Sequence, residues 1–161
     1  MNAKIMPRLP VELVKVHPDA TMPQYQTPGA AGADFFAYCP DGPVVIEPRQ
    51  TKRISAGVKA FTGTPAWALV LMPRSGLGSK GIILANSVGL IDSDYQGEIG
   101  MMIYNRSDKP FTVVTGDRIA QGAFMAVEQA SFIEVAQFSQ ETARGEGGFG
   151  STGGSSLTPG A

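Results

Sequence analysis

The chain has 161 residues, with thirteen basic and fourteen acidic side chains and a net charge of −1. This length fits one domain with a sizeable core. The charge balance argues against nucleic acid as the main partner, because phosphate-tracking surfaces need a surplus of Lys and Arg. Cys39 is the only cysteine and His17 the only histidine. An internal disulfide and a His-rich metal site are therefore excluded, and a Ser-His-Asp triad is disfavoured. Catalysis would have to draw on carboxylates, hydroxyls, arginines, backbone amides and a hard metal ion.

In chain order, Met1 to Val16 holds no uninterrupted apolar run and is broken by Pro7 and Pro10. It reads as neither a signal peptide nor a membrane span, so the expectation is a soluble cytoplasmic protein with no membrane partner. His17, followed by Pro18, reads as a surface turn. Twenty glycines and twelve prolines cut the rest into short pieces, the rhythm of a β-barrel or sandwich. Arg53 to Ala60 alternates, placing Ile54, Ala56, Val58 and Ala60 on one face of a half-buried strand. Ala66 to Met72 is a denser apolar run and reads as a core strand. Ile99, Met101 and Ile103 alternate with Gly100, Met102 and Tyr104. Phe111 to Val114, Ile119 to Val127 and Phe132 to Phe138 supply further β-rich segments. No window sustains a 3.6-residue apolar period; the best helical stretch is a turn or two near Ser75 to Lys80, with Ser75 as its cap. The fold class is all-β with at most one short helix.

From Arg144 the chain reads RGEGGFGSTGGSSLTPGA, with six glycines between Gly145 and Gly154. So much glycine carries a high ordering entropy. The organisation expected is one β domain over residues 1–143 and a flexible glycine-rich arm over 144–161, of which 155–161 is disordered. Arg144 and Phe149 are interleaved with the glycines: amides can turn towards an anion, the arginine adds charge, and the ring can stack on a base. The arm is not a Walker A loop, since no Gly-Lys-Ser/Thr follows.

Pro73-Arg74-Ser75-Gly76 directly follows the core strand, where a hydroxyl and the first helical amides can hold phosphate. Between Gly89 and Glu98, three carboxylates fall within seven residues, flanked by glycines and beside Tyr95. The spacing lacks the ligand run of an EF-hand. Ala31 to Asp34 and Gly116 to Gln121 are ordinary turns when taken singly.

Together these pieces resemble the dUTPase family, the trimeric deoxyuridine triphosphate nucleotidohydrolases. The segments are AGADFFA from Ala31, PRSGLGSKG from Pro73, GLIDSDYQGE from Gly89, GDRIAQ from Gly116 and RGEGGFGSTG from Arg144, in fixed order from Val11 to Gly153. The resemblance implies a distorted jelly-roll or β-barrel subunit of the β-clip kind, a homotrimer with shared active sites, and a Mg²⁺-dependent dUTP diphosphatase. That activity limits uracil in DNA and supplies dUMP for dTMP synthesis. Asp92 falls at the family's general-base position. Asp34 matches the acidic residue that orients water on Mg²⁺, the ion being held mainly by the triphosphate. Arg74, Ser75 and Gly76 match the phosphate-binding turn, and Gln121 a further phosphate contact. Asn86, Gly89, Leu90, Ile91 and Asp92, with Gly100 opposite, match the hairpin that reads uracil through main-chain hydrogen bonds. Tyr95 would lie against the deoxyribose. Arg144 would pair with the terminal phosphate and Phe149 stack on uracil, with Gly150, Ser151 and Thr152 completing the arm.

Two departures from the family stand out: a loop one residue shorter around Lys80-Gly81, and Gln96 where arginine is common. The alternatives are dCTP deaminase or a bifunctional relative, and a dUTP-responsive regulatory trimer with a protein partner. In the deaminase the catalytic glutamate lies on the strand after the Ile-Asp hairpin, and that position holds Met102.

Overall fold

The computed structural model describes residues 8–148. The strands are β1 (Glu12–Lys15), β2 (Ala33–Phe36), β3 (Val44–Ile46), β4 (Thr51–Ser55), β5 (Val58–Phe61), β6 (Trp67–Met72), β7 (Ile82–Leu84), β8 (Gly89–Ile91), β9 (Gly100–Asn105), β10 (Phe111–Val113) and β11 (Arg118–Ala126). One helical turn, α1 (Ser75–Gly78), lies between β6 and β7. The all-β reading with one short helix is what the chain adopts. Ser75, however, is the first helical residue rather than the cap: Arg74 takes the N-cap position, and no side chain bonds the free amides.

All strand pairs are antiparallel, in sheets ordered β2-β11-β6-β8, β4-β9-β7, β1-β5 and β10-β3. The alternating segment 53–60 is not one strand. Gly57 adopts a positive φ of 65° and turns the chain between β4, which pairs with β9, and β5, which pairs with β1. A Cβ there would meet Ala20 Cβ at 2.5 Å, so glycine is required on two counts. The expected inward face survives the break, because Ile54, Ala56, Val58 and Ala60 are all buried.

These residues join Phe35, Ile46, Leu71, Leu84, Ile99, Met101 and Ile103 in one core. Each large side chain so buried contributes about 1.5–3 kcal/mol relative to exposure. In β11 the register against β2 shifts between Arg118 and Ala120, a bulge that leaves both Ile119 and Ala120 facing inward.

The compact unit formed by the barrel ends at Glu128, and residues from Gln129 onward constitute a second unit. The expected β-rich segment from Phe132 to Phe138 has no strand. Phe132, Ile133, Val135 and Phe138 are exposed, and β-propensity alone does not make a strand of them. Among the described residues no helix is long and apolar enough to cross a membrane.

Candidate functional site

The four-stranded sheet gathers the first group of candidate residues by register. Gln121 on β11 pairs with Asp34 on β2 and, across its other edge, with Met72 at the end of β6. Arg74 lies two residues beyond that end. Asp34 is only 6% exposed, and its carboxylate is bound on both oxygens. Arg74 Nε lies 2.9 Å from Oδ1, and Arg118 Nη1 lies 3.1 Å from Oδ2. Arg74 Nη1 also donates to the carbonyl oxygen of Arg118 at 2.8 Å. Gln121 Nε2 donates to the carbonyl oxygen of Pro73 at 3.0 Å, tying the Pro73–Gly76 turn to β11.

The cluster is thus one buried carboxylate shared by two guanidiniums, which leaves a net positive charge beside an exposed helix start. Ser75 and Gly76 are exposed there, and the first amides of a helix have no intrahelical acceptor. Arg118, to which the sequence reading gave no role, completes the cluster. Its signal was its place in GDRIAQ; the missing element was the bulge that re-aims it towards Asp34.

The second group lies around β8. Gly89 pairs with Leu71 and is buried, with the Asn86 amide against its Cα face. Asn86, Leu90 and Asp92 are exposed, and Ser87 between β7 and β8 takes a positive φ of 61°. Ile91 pairs with Leu69, so Asp92 leaves the sheet near the start of β6, whereas Arg74 leaves it past the far end. Leu69 and Arg74 are five positions apart, at most roughly 16 Å at about 3.3 Å per residue. The structure therefore brings Asp34, Arg74, Ser75, Gly76 and Gln121 together, and sets Asp92 with Tyr95 at the other end of β6.

Tyr95 is 43% exposed and its hydroxyl donates to the carbonyl oxygen of Glu98 at 3.1 Å. Gly100 opens β9, paired with Ser55, and the Arg53 guanidinium fills the space where a Cβ would stand. In the second unit, Arg144 Nε donates to the carbonyl oxygen of Gly147 at 2.9 Å. Phe149, Gly150, Ser151 and Thr152 lie outside the described residues.

Cys39 offers no nucleophile: burial, and then the charge of Asp117, push its thiol upward, which keeps it protonated. His17 does sit in a surface turn, but it also stacks on Tyr38 with ring centroids 4.3 Å apart. Its Nε2 lies 3.8 Å from Glu98 Oε1.

The small all-β chain, with two arginines on one carboxylate at one end of β6 and an exposed carboxylate at the other, is of the jelly-roll-like class. The chain belongs to the dUTPase family, whose model matches residues 18–153. It is 53% identical over 133 residues to the deoxyuridine 5'-triphosphate nucleotidohydrolase of Haemophilus ducreyi, covering 82% of this chain and 86% of that protein. The corresponding enzyme of Methylococcus capsulatus is 46% identical over 151 residues, covering 92% and 99%. Among solved structures, the dUTPase of Staphylococcus bacteriophage 80alpha with dUPNHPP superposes with a TM-score of 0.80 at 25% identity, covering 89% of this chain and 98% of that one.

Proposed function

We propose that this chain hydrolyses dUTP to dUMP and pyrophosphate in a site assembled from three subunits, with Asp92 as general base and Mg²⁺ as the metal. The observation that carries the reading is the anion cluster of Arg74, Arg118, Asp34 and Gln121 on the segments that match the family. Its separation from Asp92 supports a shared site, since one chain alone sets the phosphate grip and the base at opposite ends of β6.

In this reading the triphosphate lies across Arg74, the Ser75 hydroxyl and the amides of Ser75 and Gly76, with Gln121 fixing the turn. The Asp92 carboxylate removes a proton from water, whose oxygen attacks the α-phosphorus. The bond from that phosphorus to the bridging oxygen breaks, and pyrophosphate leaves with the electron pair. Main-chain groups of Gly89, Leu90 and Ile91, with Asn86 and Gly100, read uracil. Cytosine presents the reversed donor pattern and would leave buried groups unpaired. Tyr95 packs on the sugar where a 2′-hydroxyl has no room. Arg144 reaches the terminal phosphate and Phe149 covers the base, with Gly150, Ser151 and Thr152 closing the arm over the phosphates. The product dUMP feeds dTMP synthesis, and removal of dUTP keeps uracil out of DNA.

The donor set fits Mg²⁺ held mainly by substrate. Among the described residues no three His, Cys, Asp or Glu side chains gather as a cage. Each Asp34 oxygen engages one arginine and keeps a lone pair to accept from a metal-bound water. When bound, the ion would neutralise charge on the phosphates; Asp34 would orient its water. The family assignment favours this reaction over deamination of dCTP.

The test is pyrophosphate release from dUTP beside dCTP, dTTP and UTP. Rapid release is expected from dUTP alone. Asp92→Asn should lower kcat by about 10²–10⁴-fold while dUTP binding stays near the wild-type level. Full turnover by that variant would remove Asp92 from the base role.

A further inference from the structure

Between β8 and β9 the chain runs from Asp92 to Ile99 without regular structure, and this loop carries both the proposed base and the proposed sugar contact. Its local bonding is thin: Tyr95 N donates to the carbonyl oxygen of Asp92 at 3.2 Å. Its far end is pinned at Ile99, whose N donates to the carbonyl oxygen of Val58 at 3.0 Å and whose carbonyl oxygen accepts from Ala56 N at 2.9 Å; the side-chain bonds that fix the loop converge on Glu98. The carbonyl oxygen of Glu98 accepts from Tyr95 Oη at 3.1 Å and from Arg53 Nη2 at 3.2 Å. The carboxylate of Glu98 accepts from the Ser55 hydroxyl.

Ser55 is itself held by the framework. Its Oγ accepts from Gly57 N at 2.8 Å, its carbonyl oxygen accepts from Tyr38 N at 2.8 Å, and its strand β4 pairs with β9. Gly57 in turn holds the tight turn between β4 and β5 against Ala20 and Tyr38. A line of bonds therefore runs from the rigid corner through Ser55 and Glu98 to Tyr95. Gly97 is part of the same arrangement: a Cβ there would collide with the Tyr95 ring, so glycine lets the ring fold back far enough to reach Glu98.

We infer that Glu98 is a positioning residue for the reaction, an anchor that holds Tyr95 and the Asp92 loop in register through Ser55. This rests on the roles given above to Asp92 and Tyr95, and it assigns to Glu98 the dUTP-over-UTP selectivity that Tyr95 exerts. Glu98 touches neither substrate nor reacting atoms. Gln can accept the same hydroxyl proton, so the bond depends on an acceptor of that length rather than on a charge.

The experiment measures kcat and KM for dUTP and UTP in wild type, Glu98→Ala, Glu98→Gln, Ser55→Ala and the Glu98→Ala/Ser55→Ala double variant. Glu98→Ala and Ser55→Ala should each lose about tenfold in kcat/KM for dUTP, the upper end of one hydrogen bond that does not depend on charge. Selectivity against UTP should fall in parallel. Glu98→Gln should stay near wild type, and the double variant should be no worse than the poorer single, because the Ser55–Glu98 bond is already lost in each. Unchanged selectivity in Glu98→Ala or Ser55→Ala, multiplying losses, or a Glu98→Gln as impaired as Glu98→Ala would overturn the anchor while leaving dUTP hydrolysis by wild type standing. If Glu98→Ala does not fold, Ser55→Ala decides by the same criterion. A wild type inert towards dUTP would instead overturn the reading of the site, and the anchor with it.

Discussion

At the residue scale, Asn105 shows how a polar side chain can hold a barrel together. It is fully buried at the end of β9, and each of its side-chain atoms is satisfied. Nδ2 donates to the carbonyl oxygens of Ile46 at 2.8 Å and Lys109 at 2.7 Å; Oδ1 accepts from Ser107 N at 3.0 Å and Ser107 Oγ at 2.7 Å. One side chain thus ties β9, β3 and the turn into β10. Asn105→Ala strands several buried groups at once and should cost about 2–4 kcal/mol, read as a lower urea midpoint at unchanged slope. A midpoint equal to wild type would show that water replaces the amide. Nothing around Asn105 in the sequence marks it out, because Asn-Arg-Ser-Asp is what any surface turn looks like. Asp34, Arg74 and Gln121 were legible only through their motifs. Arg118 and Glu98 were written in the same motifs, yet their roles depend on a bulge and on a hydroxyl more than forty residues away, which no local pattern encodes.

Elements were read more securely where burial is one-sided. β6 and β9 follow their apolar patterns closely, since a one-residue slip would turn Leu69 and Leu71, or Met101 and Ile103, to solvent. The break at Gly57 was missed because alternation continues across it; period alone cannot separate one strand from two that share an inward face. Phe132 to Phe138 shows the converse, a β-prone composition that forms no strand. Within β11, Gly122 marks a close approach: a Cβ would come within 2.6 Å of Phe35 Cε2 and 2.9 Å of Leu69 Cδ1. Gly122→Ala should therefore destabilise by about 1–3 kcal/mol through overpacking, seen as a drop in thermal midpoint. A midpoint that rises would mean the sheet opens there without strain.

At the scale of the whole molecule, the sheet β2-β11-β6-β8 decides what one chain can do. It concentrates Asp34, Arg74 and Gln121 at one end of β6 and delivers Asp92 at the other. If neighbouring copies complete each other's sites, then Asp92→Asn and Arg74→Ala should each be inactive alone yet regain turnover when unfolded together and refolded as a mixture. Random assembly would return up to about a quarter of the wild-type sites, measured as pyrophosphate release. No recovery in verified mixed assemblies would place both groups in a site of one chain.

In the proposed reaction, cleavage at the α-phosphorus also cuts the tie between the two places assigned to hold the nucleotide. On the proposed assignments intact dUTP is gripped twice, by the hairpin through its base and by the arginine cluster through its phosphates, and the second contact forms at the high effective concentration set by the first. Each product keeps only one grip. The same geometry that favours capture of the triphosphate therefore speeds release of what the reaction leaves behind.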